Sequence, residues 1–478
     1  MSLRIADTGL VPAPSPSVAA AQPQRLSALL GAQNAPALIE PVTTALYPLI
    51  DLLYPVMRSL TGDGVRSTLD RFGEAVSLDR HEVATGTGIL DWTVPKEWHV
   101  RSAHITDAAG RRIVDVADHG LHLLGYSEPF RGQVTGQELR THLFSLPMQP
   151  DAIPYRTSYW SPRWGFCVRQ HVVDELRDDA TYQVVVDTAM TDGALSYASA
   201  VLVGDTDDEF LLSAHICHPW LANDNLSGNI VALAVWQILA RTGPHRHRFR
   251  LLLSPGTVGP IAWLAANGEA ASAIQHGLVL TNLGDHHAFT YKRSERTVTT
   301  VDLAAAHVLQ SWHRPGAVVD FSPYGYDERQ FCSPGFGLAV GRLSRGVHGT
   351  FPEYHTSLDN PSFVTAEAIA DAVHAVLTII SMVDEDEVLT NQAPYGEPQL
   401  GRRGLYRSLS GTEPDPNREL ATLWVLNQCD GRRPLSEISR RSGLPWPSIR
   451  RAADALIAVD LLASPSVRQT TQREMTPT

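Results

Sequence analysis

Apolar positions change their period several times along this chain, and each change marks a different kind of structure. From Ile39 towards Gly62, Leu46, Leu49, Ile50, Leu53 and Met57 recur at helical spacing. Between about residues 75 and 165 the pattern breaks into short alternating runs such as Trp92-Thr-Val-Pro, residues 99–107, Arg112-Ile-Val-Asp-Val and Leu121-His-Leu-Leu-Gly. Gly, Asp and Pro separate these runs, which predicts a β-rich unit. From Tyr182 onward, strand-like apolar runs at 197–203, 210–214, 249–254 and 277–283 alternate with helical patterns at 227–241, 261–266 and 301–312. An amphipathic helix over 365–382 follows them. Such alternation, with strands apolar nearly throughout, predicts an α/β fold whose mostly parallel sheet is covered by helices on both faces. After a polar, glycine-bearing link come three short helical patterns, 419–428, 435–441 and 446–459, separated by the tight turns Asp430-Gly-Arg-Arg-Pro434 and Gly443-Leu-Pro445. They predict a C-terminal winged helix.

The resulting division is a tail over 1–40, an α/β domain over 41–74 and 166–390, an inserted β-rich domain over 75–165, a winged helix over 391–465 and a polar tail over 466–478. The first 40 residues are rich in Ala, Pro, Gln and Ser, which predicts disorder. At 478 residues the chain is long enough for several cores, and 43% hydrophobic with 19% charged residues is a globular balance. A net charge of −12 argues against a nucleic-acid or anionic-membrane coat. No apolar run is expected to span a bilayer, and the N-terminus lacks a secretory signature. Four widely spaced cysteines read as reduced thiols, so a cytoplasmic location is expected.

The chemistry concentrates in two phrases. Phe210-Leu-Leu-Ser-Ala-His215-Ile-Cys-His218-Pro delivers an imidazole at a strand end, and Ala222-Asn-Asp224-Asn-Leu-Ser-Gly228 follows with a carboxylate before a long apolar helix. Strand ends in α/β folds are where ligands bind. Far downstream, Glu353-Tyr354-His355-Thr-Ser-Leu-Asp359 offers a second imidazole. Two imidazoles and a carboxylate converging on one cation suit zinc. Each also has a plainer reading: His218 reads as structural, Cys217 as a small buried hydrophobe, and Asp224 could serve as a helix cap.

Together with Asp327-Glu-Arg-Gln-Phe-Cys-Ser-Pro-Gly335, these phrases resemble the zinc aminopeptidase clan that also holds glutaminyl cyclases. The closest resemblance is to an uncharacterised aminopeptidase-like group with an inserted β domain and a C-terminal winged helix, found in polysaccharide and secondary-metabolite gene neighbourhoods. It extends over about residues 40–465. The resemblance implies His215, Asp224, Asp285 and His355 as metal ligands, and Tyr354 as a phenol donating to a developing oxyanion. It implies substrate contacts for Asp327 and Arg329, the latter as a planar fork for a carboxylate or phosphate.

One departure matters as much as the match. Where the clan carries two adjacent glutamates after a strand, one a general base and one a ligand of a second zinc, this chain has Pro255-Gly256-Thr257. One zinc is therefore expected rather than two, with Glu328 and Glu353 the nearest substitutes for the base. The expectation is a zinc-dependent hydrolase of a small aminoacyl or amino-sugar compound, with no membrane partner and with homo-oligomerisation left open. Two alternatives stand beside it: a repurposed member using the zinc pocket for binding or acyl transfer, and a ligand-sensing DNA-binding regulator. The arginines at 432, 433, 440, 441, 450 and 451 bear on the last of these.

Overall fold

The computed structural model describes residues 24–31, 34–405 and 416–464. Its centre is an eight-stranded sheet built from β1 (Asp79–Ala84), β2 (Ala194–Leu202), β3 (Glu209–His215), β4 (Arg248–Ser254), β5 (Ile274–Leu280), β6 (Thr290–Lys292), β7 (Ala317–Val319) and β8 (Val340–Ser344). The strand order is β1-β2-β4-β3-β5-β8-β6-β7. The central strands β4, β3, β5 and β8 are mutually parallel. The sheet as a whole is mixed, because β1 and β2 add an antiparallel edge and β6 runs antiparallel to β8. Strand β3 is buried along its whole length, as expected of a strand with the apolar run Phe210-Leu-Leu at its centre and helices on both faces.

The covering helices include α1 (Ala35–Leu46), α2 (Gly228–Leu239), α3 (Val258–Ala271), α4 (Thr300–Gln310) and α5 (Ala366–Asp384). Helix α5 begins where the Thr365 hydroxyl accepts the Ala368 N–H at 3.1 Å, a side-chain cap for an otherwise unpaired donor. Contrary to the sequence expectation, α5 does have the length and mean hydropathy (1.6) of a membrane span. It packs against α1, α2 and α4, and its apolar positions are core residues.

Three boundaries differ from those expected. The inserted domain is a four-stranded antiparallel sheet in the order Arg112–Asp115, Glu97–Thr106, Thr181–Thr191, Phe130–Thr135, so it runs from about 97 to 191 rather than from 75 to 165. Alternation identified the runs near 99–107 and 112–116 but not the strands Asp79–Ala84, Phe130–Thr135 and Thr181–Thr191, and period two does not say which sheet a strand joins. Thus β1 joins the main sheet and Thr181–Thr191 joins the insert. Residues expected in the N-terminal tail are instead ordered from 24 to 31 and from 34 on, with Leu26, Leu30, Ala35 and Ile39 buried in the main core. The remainder of that tail, 1–23, and the C-terminal tail from 465 lie outside the described residues. The winged helix starts at Val388–Asn391, whose strand pairs with Asp430–Pro434 and Leu462–Ala463.

The winged helix shares one continuous apolar core with the α/β domain. Its helices are α6 (Arg418–Gln428), α7 (Leu435–Ser442) and α8 (Trp446–Ile457). Helix α8, the one that would enter a DNA groove, packs against Leu26–Leu29 and α5. Arg450 on it is fully buried and paired with Glu387 and Asp454. His307 of α4 reaches across with Nε2 at 2.9 Å from the Ser439 hydroxyl and 3.2 Å from the Leu444 carbonyl.

Candidate metal centre and pocket

Strand β3 ends at His215, and the irregular turn Ala222–Ser227 returns the chain to that strand end before α2 begins. The Asp224 carboxylate is thereby placed against the imidazole: Oδ1 lies 2.9 Å from His215 Nε2. Its other oxygen lies 3.0 Å from His355 Nε2. His355 is held by the inserted domain, whose Tyr155 N–H donates to the His355 carbonyl at 2.8 Å, while Ser357 and Ile153 exchange hydrogen bonds on either side. The His355 backbone has φ 53°, a left-handed conformation uncommon for a residue with a Cβ. The insert is thus part of the machinery that presents this imidazole.

His218, read as structural from the sequence, stands with His215 and Asp224 in a group whose ligand atoms all lie within 4.8 Å of one another. Its ring is 5.2 Å from that of His355. Burial holds His218 well below the ordinary histidine value, keeping the ring neutral as a ligand must be. Burial opposes ionisation of Asp224, but the hydrogen bonds from His215 and His355 outweigh it and hold the carboxylate well below its usual range. Ligand atoms on one tetrahedral zinc are about 3.3 Å apart. A carboxylate with one Nε2 on each oxygen and a third imidazole beside it therefore fits zinc in donor type and spacing.

The centre opens into a cavity of about 290 Å³ lined by His215, His218 and His355, by Gly256, Thr257, Asp327, Arg329 and His348, and by five tyrosines: Tyr155, Tyr159, Tyr324, Tyr326 and Tyr354. Tyr155 and Tyr159 come from the inserted domain. The Tyr326 ring stacks on His215 at 5.4 Å, and its hydroxyl accepts from Asn282 Nδ2 at 2.7 Å. Tyr354 stacks on His355 at 4.0 Å. Arg329 makes no hydrogen bond or ion pair with the described residues, and its Nε is buried without a partner. Asp327 accepts the Thr257 N–H on Oδ1 at 2.7 Å and leaves Oδ2 buried and unpartnered. Burial pushes the pKa of this carboxyl up to about 6, against the pull of His215 and the Thr257 N–H. At Gly256 an added Cβ would lie 3.6 Å from His215 Cβ and from Cys217 Sγ, an ordinary contact distance, so the backbone has room for a side chain next to the histidine.

Three expected residues stand elsewhere. Asp285 is not in the cluster: its carboxylate accepts from Asn223 Nδ2 at 2.8 Å and from His287 N and Nδ1 at 2.7 Å, which makes it a buttress of the Asp224 turn. Glu328 is fully buried in an ion pair with Lys292 at 2.9 Å and does not line the cavity, since the short helix after Asp327 turns it inward. Glu353 also lies off the cavity wall. Conversely, sequence reasoning missed the roles of His218, Tyr155, Tyr326 and Asp359. The only signal for His218 was its position three residues after His215.

The family described as a domain of unknown function (DUF4910) matches residues 47–386, and a winged helix-turn-helix matches 387–464. The chain belongs to that DUF4910 family. A Clostridium acetobutylicum protein, provisionally named a polysaccharide biosynthesis protein with an aminopeptidase-like domain, is 40% identical to it over 87% of this chain and 95% of its own length. A crystal structure from the same species, provisionally called a peptidase, superposes with a TM-score of 0.83 at 38% identity over 90% of this chain and 97% of that one. The zinc aminopeptidase of Bacillus subtilis shares the fold at a TM-score of 0.52 and 13% identity, over 71% of this chain and 94% of that one. The DUF4910 chain is thus an aminopeptidase-like α/β protein with a winged helix.

Proposed function

We propose that this protein is a zinc-dependent hydrolase that cleaves an amide in a small aminoacyl or amino-sugar compound. The observation that carries this reading is the Asp224 carboxylate held between the imidazoles of His215 and His355, which line the cavity. His215, Asp224 and His355 would hold the metal, with His218 beside them. A zinc ion held there would supply Lewis-acid polarisation of the scissile carbonyl. Tyr354, stacked on His355, donates a hydrogen bond from its hydroxyl to the carbonyl oxygen as negative charge develops there. Arg329 binds an anionic group of the substrate, since it lines the cavity and its buried Nε has no hydrogen-bond partner among the described residues. The tyrosine walls from the insert and from residues 324–326 exclude bulk water and limit the substrate to a small molecule. The Clostridium acetobutylicum relative's name supports a place in polysaccharide biosynthesis.

Gly256, standing where the related enzymes carry a base, favours a second reading in which the pocket binds or transfers an acyl group without hydrolysis. The buried α8 and Arg450 support docking rather than DNA binding for the winged helix. The deciding experiment is elemental analysis of protein purified without added zinc, together with H215A and H355A. About one zinc per chain, lost in both variants, followed by turnover of aminoacyl amides, supports the hydrolase. Absence of metal after zinc is supplied rejects it.

A further inference from the structure

The end of β4 lacks a carboxylate at Gly256, and three observations place one there from another segment. Asp327 Oδ1 accepts the Thr257 N–H at 2.7 Å, so its side chain lies along the backbone of residues 256–257. Its Oδ2 is buried and has no hydrogen-bond partner, although a carboxylate oxygen left in that condition is costly. The residue also lines the cavity that contains His215 and His355, and it contributes the one carboxylate among the described residues of that wall. Thr257 itself has φ 65°, a strained conformation for a β-branched residue. The bond to Asp327 is one of the contacts that hold it there. Strain of this kind collects at functional sites.

We propose that Asp327 is the general base of the amide cleavage argued above, a role that rests on that reading. The water oxygen forms a bond to the carbonyl carbon while one water proton passes to Asp327 Oδ2, and the carbonyl π pair moves to its oxygen beside Tyr354. The tetrahedral species collapses, the C–N bond breaks, and the proton on Asp327 goes to the leaving nitrogen. Acid and amine are the products, with no other reactant required. Glu328 is excluded from this role because Lys292 holds it away from the cavity.

The test uses the zinc-supplied full chain and its D327N, G256E and D327N/G256E variants. Asn at 327 keeps an oxygen for the Thr257 N–H, so folding is expected to survive, and thermal denaturation checks it. Two readouts are taken: zinc content with calorimetric binding of acetohydroxamic acid, whose N–H and O–H seek a carboxylate beside the metal, and hydrolysis of a panel of aminoacyl 4-nitroanilides. The expected result is parent-level zinc in D327N, hydroxamate affinity lower by about 10- to 100-fold, and hydrolysis lower by about 10²- to 10⁴-fold. Partial recovery of both is expected in D327N/G256E. Unchanged hydroxamate affinity in D327N overturns the assignment, and so does loss of zinc, which would make Asp327 a ligand. If the parent binds zinc and hydroxamate but cleaves nothing in the panel, the hydrolase reading fails, while the hydroxamate result still decides where Asp327 stands.

Discussion

Asp359 Oδ2 accepts the backbone N–H of Asp224 at 2.9 Å, so one buried carboxylate positions the residue that bridges two imidazoles. Its Oδ1 takes the N–H groups of Asn223 and Ala222 at 2.6 and 3.1 Å. Three consecutive peptide donors on one side chain fix the turn that the Asp224 carboxylate stands on. Burial pushes the Asp359 pKa up to about 8, against the pull of those three N–H groups.

In D359N, whichever atom becomes the amide nitrogen faces a backbone N–H, donor against donor. The turn must then shift. Because partners behind metal ligands tune affinity, zinc binding is expected to weaken by about 10- to 100-fold. Competition with a chelator would measure it, and an affinity equal to the parent's would show that the turn is held by Asn223 and Ser227 instead.

Tyr354 is expected to act on turnover without acting on the metal. Its ring stacks on His355 and its hydroxyl is shared with Tyr326, so Y354F keeps the stack and removes one donor. The expected outcome is parent-level zinc with kcat lower by about 10²- to 10³-fold. A rise in KM alone, with kcat intact, would assign the phenol to ground-state binding.

Much of the candidate site was legible because its histidines and carboxylate sit on recognisable elements. A buried strand ending in His215 and a polar turn before an apolar helix announce themselves in apolar periodicity, and so does the winged helix. Direction was less legible. Glu328 and Asp327 are neighbours in one short segment, yet one faces Lys292 and the other the cavity, a difference set by the local helical turn and invisible to composition. Asp285 was misplaced for a related reason: the polar turn after β5 supplies a carboxylate near the centre, but Asn223 and His287 use both its oxygens. Tyr155 owes its place to long-range packing of the insert, which no local pattern records, and His218 offered only its position three residues after His215.

The winged helix is expected to be a stabilising part of one core. Arg450 is fully buried between Glu387 and Asp454 while those carboxylates are partly exposed, so R450A leaves Glu387 with only the more distant Arg25 at 3.8 Å and Asp454 without this partner. A loss of about 2 kcal/mol is expected, read as a lower Tm in a single cooperative transition. Two separated transitions would instead show that the winged helix folds independently of the α/β domain.

Asp384 provides a pH dependence away from the candidate metal centre. At the end of α5 it accepts from His245 Nδ1 at 3.1 Å and from His247 Nδ1 at 2.9 Å. Burial opposes its ionisation, but these hydrogen bonds and the His247 N–H outweigh burial and lower its pKa from 3.8 to about 2. A depressed carboxyl contributes stability that is complete above the unfolded value of 3.8 and is lost as pH falls towards about 2. The shift corresponds to about 2 kcal/mol. For His245, burial works against the charge but Asp384 outweighs it, so its pKa is raised above 6.5. Its contribution is therefore present below 6.5 and lost as pH rises through the folded value. The two slopes define a window, roughly between pH 4 and 6.5, in which parent and D384N should differ most. Thermal denaturation of both proteins from about pH 3 to 8 measures it. A Tm difference that stays constant across that range would mean that Asp384 acts through packing alone and not through its charge.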